Sequence, residues 1–188
     1  MSTTRPAKWN TLIEVMQIKR VRVYLHWSVL LIGAIILLNA LKEPFVTFVS
    51  LACYIGVILI HECGHMIAAQ RKGCRVWSIE LYPFWGITRF DEPYSRWDHC
   101  AIAWGGVLAQ GVVAIPLVVW VEVFGFTRFP ALNAVLGILG FYSVLVALFN
   151  LLPIRPLDGA IAWSLVPLIF RRSPPRSSKR EPGWRSWK

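Results

Sequence analysis

The stretch LACYIGVILIHECGHMIAAQRKG, Leu51 to Gly73, decides how this chain is read. It begins as an apolar helix suited to a bilayer, and then His61, Glu62 and His65 follow within little more than one turn. A centred charge inside a span costs on the order of 2.5–3.5 kcal/mol, so ionisable groups there mostly mark function. His61-Glu62-Cys63-Gly64-His65 fits the pattern H-E-x-x-H. Two imidazoles four residues apart lie on one helical face and can bind one zinc ion, and the adjacent glutamate can polarise a water held there. The plainer alternative is two histidines and a glutamate gathered at a membrane interface.

The surrounding sequence favours a membrane setting. Hydrophobic residues make up 56% of the 188, and the mean hydropathy is +0.53, more than a single soluble core of this length needs. The 20 Lys and Arg outnumber the 10 Asp and Glu, giving a net charge of +10. These cations crowd the ends, before Val23 and after Arg171, and not a groove that could follow a phosphate backbone. Positive-inside topology and attraction to anionic lipid explain them better than nucleic-acid binding. Cys53, Cys63, Cys74 and Cys100 show no C-x-x-C pairing, so reduced thiols are expected. The N-terminus is polar and basic for too long to be a cleavable signal.

Four segments approach the ~20 residues that a hydrocarbon core requires: Val23 to Leu41, Phe45 to Gln70, His99 to Phe124 and Ala131 to Leu152. A fifth, Leu157 to Phe170, is short and is predicted to be buried or re-entrant. With four crossings, Arg20, Arg22, Arg71, Lys72, Arg75, Arg155 and the tail cations share the cytosolic side. The predicted fold is therefore an α-helical polytopic membrane protein. It has an interfacial segment over residues 1–22, an embedded core over 23–170 and a basic, disordered tail over 171–188. Trp9, Leu12, Ile13 and Met16 recur at helical spacing, which suggests a surface helix or else a disordered leader. RVWSIELYPFWGITRF, Arg75 to Phe90, reads as a cytosolic β-hairpin, Val76 to Tyr82 against Ile87 to Phe90, or as an irregular interfacial loop. A hairpin with a free edge could accept an extended peptide as an added strand. Ala101, Gly105 and Ala109 form a small-residue stripe that lets a neighbouring helix approach.

A zinc ion at His61 and His65 needs a third protein ligand and an open position. Glu43 and Glu122 approach the far side of the membrane. Glu80, Asp91, Glu92 and Asp98 belong to the loop, and His26 and His99 read as interfacial. Asp158 is the best placed, because Pro153 and Pro156 break the fourth span just before it, and it can cap a segment that starts at Gly159.

Together HECGH and NLLPIRPLDG, Asn150 to Gly159, resemble the paired motifs of the site-2 protease family, intramembrane zinc metalloproteases. The family's second motif, N-x-x-P-x-x-P-L-D-G, is met at Asn150, Pro153, Pro156, Leu157, Asp158 and Gly159. The resemblance covers roughly Val21 to Phe170 and is to the compact form, without a PDZ or CBS domain. It implies one zinc ion held by His61, His65 and Asp158, with Glu62 as general base and acid. It also implies that Asn150 positions substrate or steadies the oxyanion. Arg155, Ala160 and Gln110 depart from the residues that the family commonly has at those places. The activity implied is hydrolysis of a peptide bond in or near the transmembrane segment of a membrane-protein substrate. The setting implied is a bacterial inner membrane, with both termini cytoplasmic. The alternative is a non-proteolytic zinc-binding membrane module that holds membrane-protein clients.

Overall fold

The computed structural model describes residues 11–38, 42–164 and 166. Strand β1 (Leu12–Ile18) and strand β2 (Val21–His26) form an antiparallel hairpin. The turn between them is Lys19-Arg20, both at positive φ (47° and 67°), the hand that matches a twisted two-residue hairpin. Leu12, Ile13 and Met16 therefore lie in a strand and not in a surface helix, which corrects the reading from helical spacing. Pairing with Val21–His26 satisfies this backbone in a way a lone amphipathic turn cannot. Trp9 lies outside the described residues.

Helix α1 (Trp27–Leu37) follows directly, with His26 as its N-cap: the imidazole Nδ1 accepts from the Ser28 N–H at 3.3 Å. The first predicted span is corrected accordingly. Its opening residues, Val23 to His26, belong to the sheet, and the helix has 11 residues. At 1.5 Å per residue it covers roughly 16 Å, short of the ~30 Å of a hydrocarbon core. Among the described residues three helices are long and apolar enough to cross: α2 (Pro44–Arg71), α3 (Arg96–Phe124) and α4 (Pro130–Asn150). At most 28% of each apolar window is buried, so most of these side chains face outward, as lipid contact requires. Helix α4 is π-helical over Leu136–Tyr142. Of the predicted fifth segment, a short helical turn α5 (Gly159–Ala162) is described, and residues 167–170 lie outside the described residues, as does the tail 171–188.

Strands β3 (Val76–Leu81) and β4 (Gly86–Phe90) pair antiparallel. Strand β3 also pairs parallel with β2, so a single four-stranded sheet runs β1-β2-β3-β4. The parallel pairing needs a long crossover, and α1 with α2 provides it. One core joins sheet to helices: Val21, Val23 and Leu25 of β2 and Ile79 and Leu81 of β3 pack with Ile58, Met66 and Ala69 of α2 and Ile102 of α3.

Helices α2 and α3 cross at small residues. A Cβ on Gly105 would stand 2.7 Å from the Gly64 carbonyl oxygen and 2.8 Å from the Ala68 Cβ, so the backbones touch where any larger residue would part them. That crossing lies between His61 and His65 on one helix and Gly106 on the other.

Candidate metal centre

His61, Glu62 and His65 sit on the last third of α2, all buried. The i, i+4 spacing brings the two imidazoles together, with Nε2 atoms 3.0 Å apart. Gly106 of α3 faces them: a Cβ there would stand 2.6 Å from His61 Cε1 and from His65 Nε2. A glycine is what lets both rings, set edge to face at 82°, approach α3 this closely.

Asp158 arrives from the other end of the chain. After α4 the backbone turns through Leu151–Leu157 and enters α5, which α3 holds in place. Cys100 Sγ lies 3.4 Å from the Ile161 carbonyl and 3.1 Å from Ser164 Oγ, and the Trp104 indole N–H donates to the Ala162 carbonyl at 3.3 Å. The indole of Trp163 in turn donates to the Leu151 carbonyl at 2.6 Å. These contacts set Asp158 Oδ2 at 2.8 Å from His61 Nε2 and 3.0 Å from His65 Nε2. Asp158 precedes α5 without capping it through its side chain; the carboxylate is turned to the imidazoles instead.

The donor set fits a metal ion. His65 Nδ1 lies 2.8 Å from the Ile102 carbonyl oxygen, which can only accept, so Nδ1 carries the proton and Nε2 presents a lone pair. His61 Nδ1 lies 2.9 Å from Gln110 Oε1, an acceptor that suits the same tautomer. In that tautomer two imidazole lone pairs and a carboxylate oxygen converge within 3.0 Å of one another, an arrangement that suits a cation at its centre. Among the described residues, His61, His65 and Asp158 are the group of His, Cys, Asp and Glu side chains placed to hold one.

Glu62 lies beside this group and is held from the sheet. Thr88 Oγ1 on β4 donates to Glu62 Oε2 at 2.7 Å and lies 3.1 Å from the Glu62 carbonyl oxygen. A Cβ on Gly86 would overlap the Glu62 carboxyl, so the start of β4 passes directly over it. The hairpin is itself braced by Glu80, fully buried and bonded to the Arg89 guanidinium and, at 3.3 Å, to the Tyr82 hydroxyl. The hydrogen bond to Glu80 raises the Arg89 pKa above its ordinary value.

Asn150 is one residue of the sequence reading that these contacts leave apart: its Nδ2 donates to the Val146 carbonyl of its own helix at 3.1 Å. The acidic residues of the loop have other partners, Asp91 with Trp77 and Asp98 with Lys72. His26 stacks on Tyr82 with ring centroids 5.0 Å apart. Gln110 and Thr88, by contrast, are site neighbours that the sequence did not single out as such. Gln110 stood out only as a departure from a family pattern, and Thr88 only as one residue of a strand.

The model of peptidase family M50 matches residues 49–132, the stretch that carries H-E-x-x-H, Gly106 and Gln110. The chain is thus similar, over this stretch, to the M50 peptidases, the family of the site-2 proteases. A candidate zinc metalloprotease of Synechocystis sp. is 32% identical over 117 residues, which are 57% of this chain and 30% of that protein. A zinc metalloprotease of Methanocaldococcus jannaschii is 26% identical over 157 residues, 80% of this chain and 44% of that one. The chain therefore spans less than half the length of these relatives. The solved structure of the site-2 protease from Methanocaldococcus jannaschii shares the fold, with a TM-score of 0.67 at 22% identity, over 82% of this chain and 71% of that chain. The match to the M50 model and three helices long and apolar enough to cross a membrane support an integral membrane protein similar to zinc metalloproteases.

Proposed function

We propose that this chain is an intramembrane zinc metalloprotease that hydrolyses a peptide bond in or near the transmembrane segment of a membrane-protein substrate. The observation that carries the reading is the convergence of His61 Nε2, His65 Nε2 and Asp158 Oδ2, with the Glu62 carboxyl beside them. His61, His65 and Asp158 would hold one zinc ion. When bound, zinc supplies Lewis acidity, polarising a carbonyl and making water acidic at about pH 7. Glu62 takes a proton from the attacking water as its oxygen adds to the scissile carbon. It returns that proton to the nitrogen as the C–N bond breaks, so the products are a carboxylic acid and an amine. Thr88 keeps the Glu62 carboxyl aimed while this happens.

A helical substrate hides its carbonyls and must unwind to be cut. Strand β4 is the last strand of the sheet and passes over Glu62, so a peptide added along its edge would be extended beside the general base. Asn150, at the end of α4, is assigned to substrate or oxyanion. Three protein ligands among the described residues, and not the four of a structural zinc site, support catalysis over a purely client-holding module. The cations at Arg71, Lys72, Arg75 and Arg155 support a cytoplasmic location for both termini, in a bacterial inner membrane, with residues 23–170 as the embedded core.

The test is co-expression with single-span membrane proteins. A shortened product that forms with wild type and is absent with Glu62→Gln supports the reading. A product formed equally by both rejects it.

A further inference from the structure

The two imidazoles of the proposed zinc site are oriented by unlike partners. His65 Nδ1 faces the backbone carbonyl of Ile102, fixed by α3 itself. His61 Nδ1 faces a side chain, the carboxamide of Gln110, one turn beyond Gly106 on the same helix. Gln110 is 0% exposed, and its Nε2 has no hydrogen-bond partner among the described residues. A leucine of similar size would fill this place without burying an unpaired N–H₂, so packing alone does not account for the amide. Its other end does.

We infer that Gln110 is a positioning residue of the metal centre, whose Oε1 holds His61 in the Nδ1–H tautomer so that Nε2 is free for the ion. The inference rests on the zinc-site reading above. A neutral imidazole carries one proton, and His61 has an acceptor on each side: Gln110 Oε1 at 2.9 Å and Asp158 Oδ2 at 2.8 Å. If the proton sits on Nε2, His61 bonds Asp158 directly, and the ligand triangle closes on a proton. If it sits on Nδ1, the triangle is open to a cation. Gln110 is the group that makes the second state competitive, because it gives the Nδ1 proton a buried acceptor. His65 needs no such residue, its tautomer being set by main chain.

The experiment measures zinc affinity of the purified full-length protein in micelles, by competition with a chelator. It compares wild type, Gln110→Leu, Gln110→Glu and His61→Ala, together with melting of the metal-stripped forms. Gln110→Leu is expected to bind zinc about 10–100-fold more weakly than wild type. Its metal-stripped form is expected to melt no lower than the stripped wild type. Gln110→Glu keeps an oxygen facing the same N–H and is expected to restore affinity to within a few-fold of wild type. The inference is overturned if Gln110→Leu binds zinc as wild type does. It is overturned equally if the loss comes with a matching fall in metal-free melting and is not restored by Gln110→Glu. If wild type and His61→Ala bind zinc alike, the zinc-site reading itself fails, a result distinct from either of those.

Discussion

Gly106 has no side chain because His61 and His65 occupy the space where one would be. Adding a methyl group places it 2.6 Å from both rings, so one imidazole or the α2–α3 crossing must shift. Gly106→Ala is therefore expected to lower zinc content at a fixed chelator concentration, with a destabilisation of about 1–3 kcal/mol for the overpacked contact. Metal analysis and melting check the two halves. Glu62→Gln should behave differently. It touches no ligand atom among the described contacts, so zinc content is expected to stay at the wild-type level while cleavage falls by about 10²–10⁴-fold, the usual share of a general base. At this scale much of the candidate site's geometry was legible in the sequence. His61, Glu62 and His65 lie on a single helical turn, where spacing alone fixes geometry, and Asp158 was marked by the prolines that end the span before it. Gln110 and Thr88 were not legible as site residues. Each meets the site through packing of separate elements, α3 on α2 and β4 on α2, and no local spacing encodes that.

The α2–α3 crossing carries the site, because it aligns Gly106 and Gln110 with the histidines. Gly105 and Ala109 of the small-residue stripe meet Gly64, so one branched side chain there would separate the helices. Gly105→Val is expected to cost about 1–3 kcal/mol and to weaken zinc binding although it touches no ligand; melting and metal analysis on one preparation would show both falling together. The β1–β2 hairpin makes the opposite point. Leu12, Ile13 and Met16 suit a helix by spacing, and the strand wins because its partner lies just past a two-residue turn. Lys19 and Arg20 pay for that turn in the left-handed region, where an ordinary residue is disfavoured by roughly 1–2 kcal/mol. Replacing the pair, Lys19→Asn with Arg20→Gly, is expected to stabilise the protein by about 1 kcal/mol, read as a higher melting temperature. The parallel β2–β3 pairing was hidden for a related reason: residues 27–75 separate the strands, with α1 and α2 between. The β3–β4 hairpin, by contrast, was readable from its local Pro83–Gly86 turn signal.

For the whole molecule, the long apolar helices and the charge at the chain ends were plain in composition, and the sheet that clasps Glu62 was only half visible. That sheet joins β1 and β2, from the start of the described chain, to the hairpin between α2 and α3. It supplies what helices alone lack, a strand edge beside a buried carboxylate. The central claim is that His61, His65, Asp158 and Glu62 together make a zinc-dependent peptide hydrolase acting on membrane proteins. The most direct measurement is cleavage of single-span membrane proteins in liposomes by the purified chain, for wild type and Glu62→Gln, before and after metal stripping and with zinc restored. The account predicts a shortened product from wild type that disappears on stripping and returns with zinc, and none from Glu62→Gln in any condition. Cleavage by stripped wild type at the undiminished rate, or by Glu62→Gln at the wild-type rate, would contradict it.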